Sequence, residues 1–209
     1  MLFLTINIFL FLTACTVTES AEHDNDEITS HIETTSDEVN YLSEQTDIAL
    51  KRNDWSRNNP VPLNQTGLIP IKIHTSPDTV SRIDGVLEIS FSNIISGEEA
   101  YKFLLNESQA NEHPPAGYQW IILDAKAKLT SGSREFPYTL IPNVTTVSLD
   151  DIETPKNKAS PAYNNAFGYV DLYQDGETEG KIVLLAPIDE EYLIRWDEGF
   201  YTSVFFANE

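Results

Sequence analysis

QWIILDAKAKLT, residues 119–130, decides the fold class. Its second half sets Leu123, Ala125, Ala127 and Leu129 against Asp124, Lys126 and Lys128. That period of two marks a half-buried strand, because successive side chains leave opposite faces of the backbone. Its first half, with Trp120, Ile121 and Ile122, is apolar on both faces, so the strand lies centrally and is covered on both sides there. GVLEISFSNI (85–94) repeats the pattern, with Leu87, Ile89 and Phe91 facing one way and Glu88, Ser90 and Ser92 the other. Working outward, IPIKIHT, FPYTLI, VTTVSL, FGYVDLY, GKIVLLAP, EYLIRW and YTSVFFA read as further short strands, separated by pieces rich in Pro, Gly, Asn or Asp. Seven to nine short strands at such spacing predict an all-β chain built as an antiparallel sandwich.

One segment breaks the alternation. SGEEAYKFLLNESQAN (96–111) begins with Ser96 and has Glu99 three residues on, the arrangement of a capping box, in which each side chain satisfies the other's backbone donor. Ala100, Phe103 and Leu104 form one apolar side, and HPPAG stops the helix after Glu112. The expectation is one short helix crossing between two strands of the sandwich.

The run ISGEEAYKFLLNESQANEHPPAGYQWIILDAKAKL resembles the signature of the telokin-like, immunoglobulin-like extracellular domains of Gram-positive bacterial lipoproteins. The matching positions are Gly97, Ala100, Asn111, Pro115 and Gly117, followed by Trp120, with RNNPVPL, GKIVLLAPIDEEYLIRW and YTSVFFA also similar. The resemblance spans residues 55 to 207. It implies an immunoglobulin-like β-sandwich outside the cytoplasm; the family has no common activity, and these positions include no catalytic residue.

Residues 1–14, MLFLTINIFLFLTA, carry no charge but fall short of the roughly 20 apolar residues that span a bilayer. They read as a signal peptide. Leu12, Thr13, Ala14 and Cys15 resemble the lipobox of bacterial lipoproteins, which implies cleavage before Cys15 and a thioether to diacylglycerol on its sulfur. The chain's single cysteine is thereby assigned to an anchor. Each buried methylene contributes about 0.8 kcal/mol, and two acyl chains hold where one holds only marginally.

Ten of the 33 acids lie in residues 16–50, with no Lys or Arg among them. This Ser/Thr/Asp/Glu stretch shows no sustained apolar period, so it reads as a disordered tether. Its reach is on the order of 30 Å, extended further by charge repulsion. Residues 37–50 hold a short amphipathic pattern leading toward the domain. The expected organisation is a signal peptide at 1–14, lipidated Cys15 with its acidic tether at 15–50, and the sandwich at 51–209.

Beyond residue 50 the chain carries 23 acids against all 13 bases, which excludes nucleic acid and anionic lipid as partners drawn by charge. No Ser sits in a G-x-S-x-G elbow, and His74 and His113 have no triad partners in sequence. The adjacent acids at 98/99, 150/151 and 190/191 are not placed across a bond by adjacency alone. No enzymatic activity and no cofactor beyond the diacylglycerol at Cys15 is expected. DLYQDGETEGK supplies Asp171, Asp175, Glu177 and Glu179 for a Ca²⁺ loop, but its spacing departs from an EF-hand. Asp175-Gly176 also reads as a hairpin turn between FGYVDLY and GKIVLL. Asn64, Asn106 and Asn143 head incidental N-x-[ST] triplets. The sequence thus predicts a membrane-anchored, cell-surface lipoprotein that binds or presents a surface to an extracytoplasmic protein; the alternative is a Ca²⁺ or small-ligand module using acidic loops.

Overall fold

Residues 119–130 form the centre of a strand that runs further at both ends, β4 (Tyr118–Ser131). The computed structural model describes residues 55–76, 80–150, 152–154, 160–199 and 202–207; the expected signal peptide, Cys15, the expected tether and the 37–50 pattern lie outside the described residues. In chain order the other strands are β1 (Val61–Pro62), β2 (Thr66–His74), β3 (Arg82–Ser96), β5 (Tyr138–Leu140), β6 (Val144–Ser148), β7 (Val170–Leu172), β8 (Glu177–Pro187), β9 (Tyr192–Glu198) and β10 (Thr202–Ala207), with helix α1 (Gly97–Glu107) after β3. Two four-stranded sheets, in the orders β2-β3-β4-β8 and β1-β10-β9-β6, are joined by a two-stranded ribbon, β5-β7. All pairings between these strands are antiparallel except the two-residue contact of β1 with β10. The described residues form an all-β sandwich with one short helix.

The alternation read from the sequence builds the main core. Leu123, Ala125, Ala127 and Leu129 of β4 join Leu87, Ile89 and Phe91 of β3 and Ile69, Ile71 and Ile73 of β2 on one buried face. Trp196 and Ile194 of β9 and Val204 and Phe206 of β10 face them from the second sheet. Phe91 meets Phe206 edge-on with ring centroids 4.7 Å apart, a favoured aromatic geometry.

A second core explains the doubly apolar half of β4. Helix α1 buries Ala100, Tyr101 and Leu104 against Trp120, Ile122 and Leu185 on the sheet's outer face. One extra residue in β3, between the pairs Ser92↔Asp124 and Ile95↔Ile122, forms a bulge. It turns Ile95 onto the outer face beneath the helix.

The capping box does not form: Ser96 makes no side-chain cap hydrogen bond. Ser96 is still paired with Ile121 in the sheet, and the chain enters the helix through Gly97 at φ +61°. That left-handed turn, which a Cβ disfavours, supplies the change of direction instead. The helix also ends at Glu107 rather than running to Asn111. The buried Asn111 amide donates to Leu104 O at 2.7 Å and to Ala162 O at 2.8 Å, and Ala162 N–H donates to Asn111 Oδ1 at 2.8 Å. A side chain therefore terminates the helix by binding it to a segment 51 residues away in sequence.

Asp175-Gly176 does make a turn, with Gly176 N–H donating to Tyr173 O at 2.8 Å, but no hairpin follows. β7 pairs with β5 and β8 pairs with β4, so the turn carries the chain from the ribbon into a four-stranded sheet. Leu129 of β4 holds it in place through two backbone hydrogen bonds, to Gly176 O and from Asp175 N–H. Along β8, Asn165 to Phe167 lie as a strap: Phe167 N–H donates to Lys181 O and Lys181 N–H to Asn165 O. Gly180 lies beneath the strap, where a Cβ would stand 2.7 Å from Phe167 N.

Candidate binding surface

The four acids proposed for a Ca²⁺ loop are not brought together. Asp171 lies on β7 and accepts from Thr139 Oγ1 at 2.6 Å. Asp175, in the turn, pairs with Arg134 at 3.3 Å. Glu177 and Glu179 are on β8, where Glu177 pairs with Lys126 at 3.1 Å. Among the described residues no group of three or more His, Cys, Asp or Glu forms a metal cluster. Leu12, Thr13, Ala14 and Cys15 lie outside the described residues.

His74 is exposed at the end of edge strand β2. His113 stacks on Tyr101 with ring centroids 4.0 Å apart, making it part of the loop packing over α1. Glu98 and Glu99 occupy the first turn of the helix, where negative charge is favoured.

The polar half of the outer β3-β4-β8 face forms a shallow cleft of about 470 Å³. Ser90, Ser92, Asn93, Asp124, Lys126 and Lys181 line it, with the strap at one side. Its charges are largely satisfied internally. Lys181 Nζ lies 2.6 Å from Asp124 and Asn93 Nδ2 2.8 Å from the same carboxylate, which holds Asp124 below the usual aspartate range. This arrangement matches a sheet face stabilised by cross-strand pairs.

Near the ribbon one carboxyl is shifted the other way. Glu198 accepts from the Tyr138 hydroxyl at 2.6 Å, tying β9 to β5. Burial raises its pKa, and the Tyr138 hydroxyl and Trp196 indole partly offset that rise. The Trp196 Nε1 itself has no hydrogen-bond partner among the described residues, so the Tyr138 hydroxyl is the hydrogen bond that opposes the rise. Burial first, then the Glu198 hydrogen bond and charge, push Tyr138 upward as well.

The ribbon's outer face has a different composition. β5 and β7 turn Tyr138, Leu140 and Leu172 into the main core. The pair Thr139↔Asp171 therefore faces away from it. Tyr169 and Tyr173 flank β7, one residue beyond either end, and Ile141 follows β5 one step past the Leu140↔Val170 pair. Tyr169 is 73% exposed, Tyr173 47% and Ile141 61%. Two tyrosines and an isoleucine around a carboxylate on the β5-β7 ribbon form the candidate binding surface. The sequence carried the signal, since Y-V-D-L-Y alternates strictly; with apolar or aromatic residues on both faces, the pattern alone did not say which face is inside.

No family model and no curated protein matches the sequence. Among solved structures, a secreted protein from Mycobacterium tuberculosis, MPT63, is similar at 12% identity over 59% of this chain and 83% of its own, with a TM-score of 0.39. A conserved hypothetical protein from Bacillus anthracis is similar at 12% identity over 68% of this chain and 96% of its own, with a TM-score of 0.33. At these values neither likeness bears on what this chain binds. No helix among the described residues is long and apolar enough to cross a membrane.

Proposed function

We propose that the chain is a lipid-anchored extracytoplasmic lipoprotein whose immunoglobulin-like sandwich binds a protein partner without catalysis. The observation that carries the binding role is the Tyr169, Tyr173 and Ile141 strip. These three large side chains are exposed beside a ribbon that buries Tyr138, Leu140 and Leu172 in the core. Exposed aromatics on a fixed scaffold provide contact area at low conformational cost, and Tyr is enriched where proteins meet. Attachment rests on Leu12-Thr13-Ala14-Cys15 and the switch to an acidic stretch after it. In this reading diacylglycerol at Cys15 holds the chain at the membrane and residues 16–50 set the domain's distance from it.

Proximity labelling from the anchored protein tests both parts. The wild type enriches a defined set of neighbours, and a Tyr169→Ser, Tyr173→Ser double variant loses one of them while keeping its thermal midpoint. Cys15→Ser releases the chain from the membrane fraction. Identical neighbour sets for wild type and double variant defeat the binding role; a Cys15→Ser protein still in the membrane fraction defeats the anchor.

A further inference from the structure

Building on that reading, we infer that the strip receives a lysine or arginine side chain, presented by an extended basic segment of the partner protein and seated on Asp171 between Tyr169 and Tyr173. The argument begins with what happens when the strip is covered. Any partner that buries the two tyrosines also removes Asp171 from water, and a carboxylate desolvated without a counter-charge is strongly unfavourable. An apolar partner surface is therefore a poor fit, and one supplying a cation is a good one.

Among the described residues none provides that cation. Asp175 has Arg134, Glu177 has Lys126 and Asp124 has Lys181. Asp171 has only the neutral Thr139 hydroxyl among the described residues, which orients the carboxylate through one oxygen. Asp175 and Glu177 are thus compensated locally, but the chain beyond residue 50 still carries 23 acids against 13 bases, so the net field is negative. Such a field favours encounter with basic segments and disfavours acidic ones.

The flanking rings fit the same guest. Tyr169 and Tyr173 each stand two residues from Asp171, one beyond either end of the three-residue strand that carries it, and both are exposed. A cation held within about 6 Å of a ring face is attracted to it, more so once desolvated. A free ammonium ion would use the centre of this arrangement and leave the outer tyrosine surface and Ile141 uncovered. An extended peptide about four residues long spans it, laying its aliphatic stems on the rings.

Titration of a fluorescein-labelled octalysine peptide into the full chain, read by anisotropy, tests the inference, with octaglutamate as the sign control. The wild type binds octalysine, and affinity falls as salt is raised. Asp171→Asn weakens it about ten-fold and Tyr169→Ser or Tyr173→Ser each weaken it about three-fold or more, the range expected for losing a desolvated charge or a cation–π contact. Glu190→Gln, an exposed acid in the β8–β9 loop, changes it less than about two-fold, as a surface charge distant from the site should. All four are surface substitutions, and unchanged melting curves verify that each variant folds. Absence of octalysine binding, or equal binding by wild type and Asp171→Asn, overturns the inference; the second result places the peptide elsewhere, the acidic tether included. Failure here is separable from failure of the protein-binding role. A neighbour lost from Tyr169→Ser, Tyr173→Ser but retained by Asp171→Asn preserves that role and rejects the cation.

Discussion

Replacing Asn111 tests whether a single buried amide closes the helix onto the 160–165 segment. Its side chain makes three hydrogen bonds, to Leu104 O, to Ala162 O and from Ala162 N–H. In Asn111→Ala, Leu104 O keeps the Ser108 N–H at 2.9 Å, so the loss falls mainly on the two backbone groups of Ala162. At about 1–1.5 kcal/mol for each group left without its partner, the substitution destabilises by about 2–3 kcal/mol. For a domain of roughly 150 residues that lowers the thermal midpoint by about 5–10 °C. Asn111→Asp sharpens the test, because the shape is kept while an oxygen replaces the donor nitrogen between two carbonyl oxygens. It should therefore be worse than Ala at neutral pH and recover toward Ala on acidification. Circular-dichroism melts of both, with Asn106→Ala on the exposed side of α1 as a control expected within about 0.5 kcal/mol of wild type, provide the measurement. An Asp variant milder than Ala at neutral pH, or an Ala variant indistinguishable from the Asn106 control, refutes the reasoning.

Gly180→Val places a Cβ against the backbone of Phe167 and should destabilise by about 1–3 kcal/mol. Hydrogen exchange should show loss of protection at the Phe167 amide first, and unchanged protection there would contradict the strap geometry. Glu198 has a pKa raised by burial, so the folded state binds its proton more tightly than the unfolded state does. Its favourable contribution is full below the unfolded pKa and is lost as pH rises through the folded one. Glu198→Gln should therefore gain stability relative to wild type between acidic and neutral pH, and parallel melting-midpoint profiles would show that burial does not act on this group. Asp124 has the opposite sign, its pKa being depressed first by the Lys181 hydrogen bond. Asp124→Asn should thus cost stability at neutral pH and nothing once both forms are protonated, as paired pH-melt series would show. Millimolar Ca²⁺ should leave the wild-type melting midpoint unmoved, because the four acids of DLYQDGETEGK are dispersed; a rise would favour a calcium-binding module.

Strand positions were legible because burial on one face imposes a period of two. Each of the nine segments read as strands overlaps one, and among the described residues only the two-residue β1 falls outside them. The helix was legible for the same kind of reason, its apolar side being Ala100, Phe103 and Leu104. Its ends were not, because they depend on tertiary contacts: Ser96 is held by Ile121 across the sheet, and Asn111 by Ala162. The Asp175-Gly176 turn illustrates the same limit. Local chemistry specified that the chain reverses, while the choice of pairing partner belonged to β4 and β5. The positions on which the resemblance to lipoprotein domains was read have structural roles here, with Gly97 and Gly117 at positive φ, Ala100 and Trp120 buried, and Asn111 bonded as described. The binding strip was hidden for a different reason. Tyr169 and Tyr173 look like core residues until the ribbon's register turns Leu172 inward.

A photo-crosslinking amino acid placed at position 169 in intact cells, compared with the same residue at position 190, tests most directly whether the ribbon is where this chain meets another protein. The account predicts one discrete, ultraviolet-dependent adduct from position 169, absent from position 190 and diminished when Tyr173 is replaced by serine. Adducts of equal yield from both positions, or none from position 169 in a chain that is folded and at the cell surface, would contradict it.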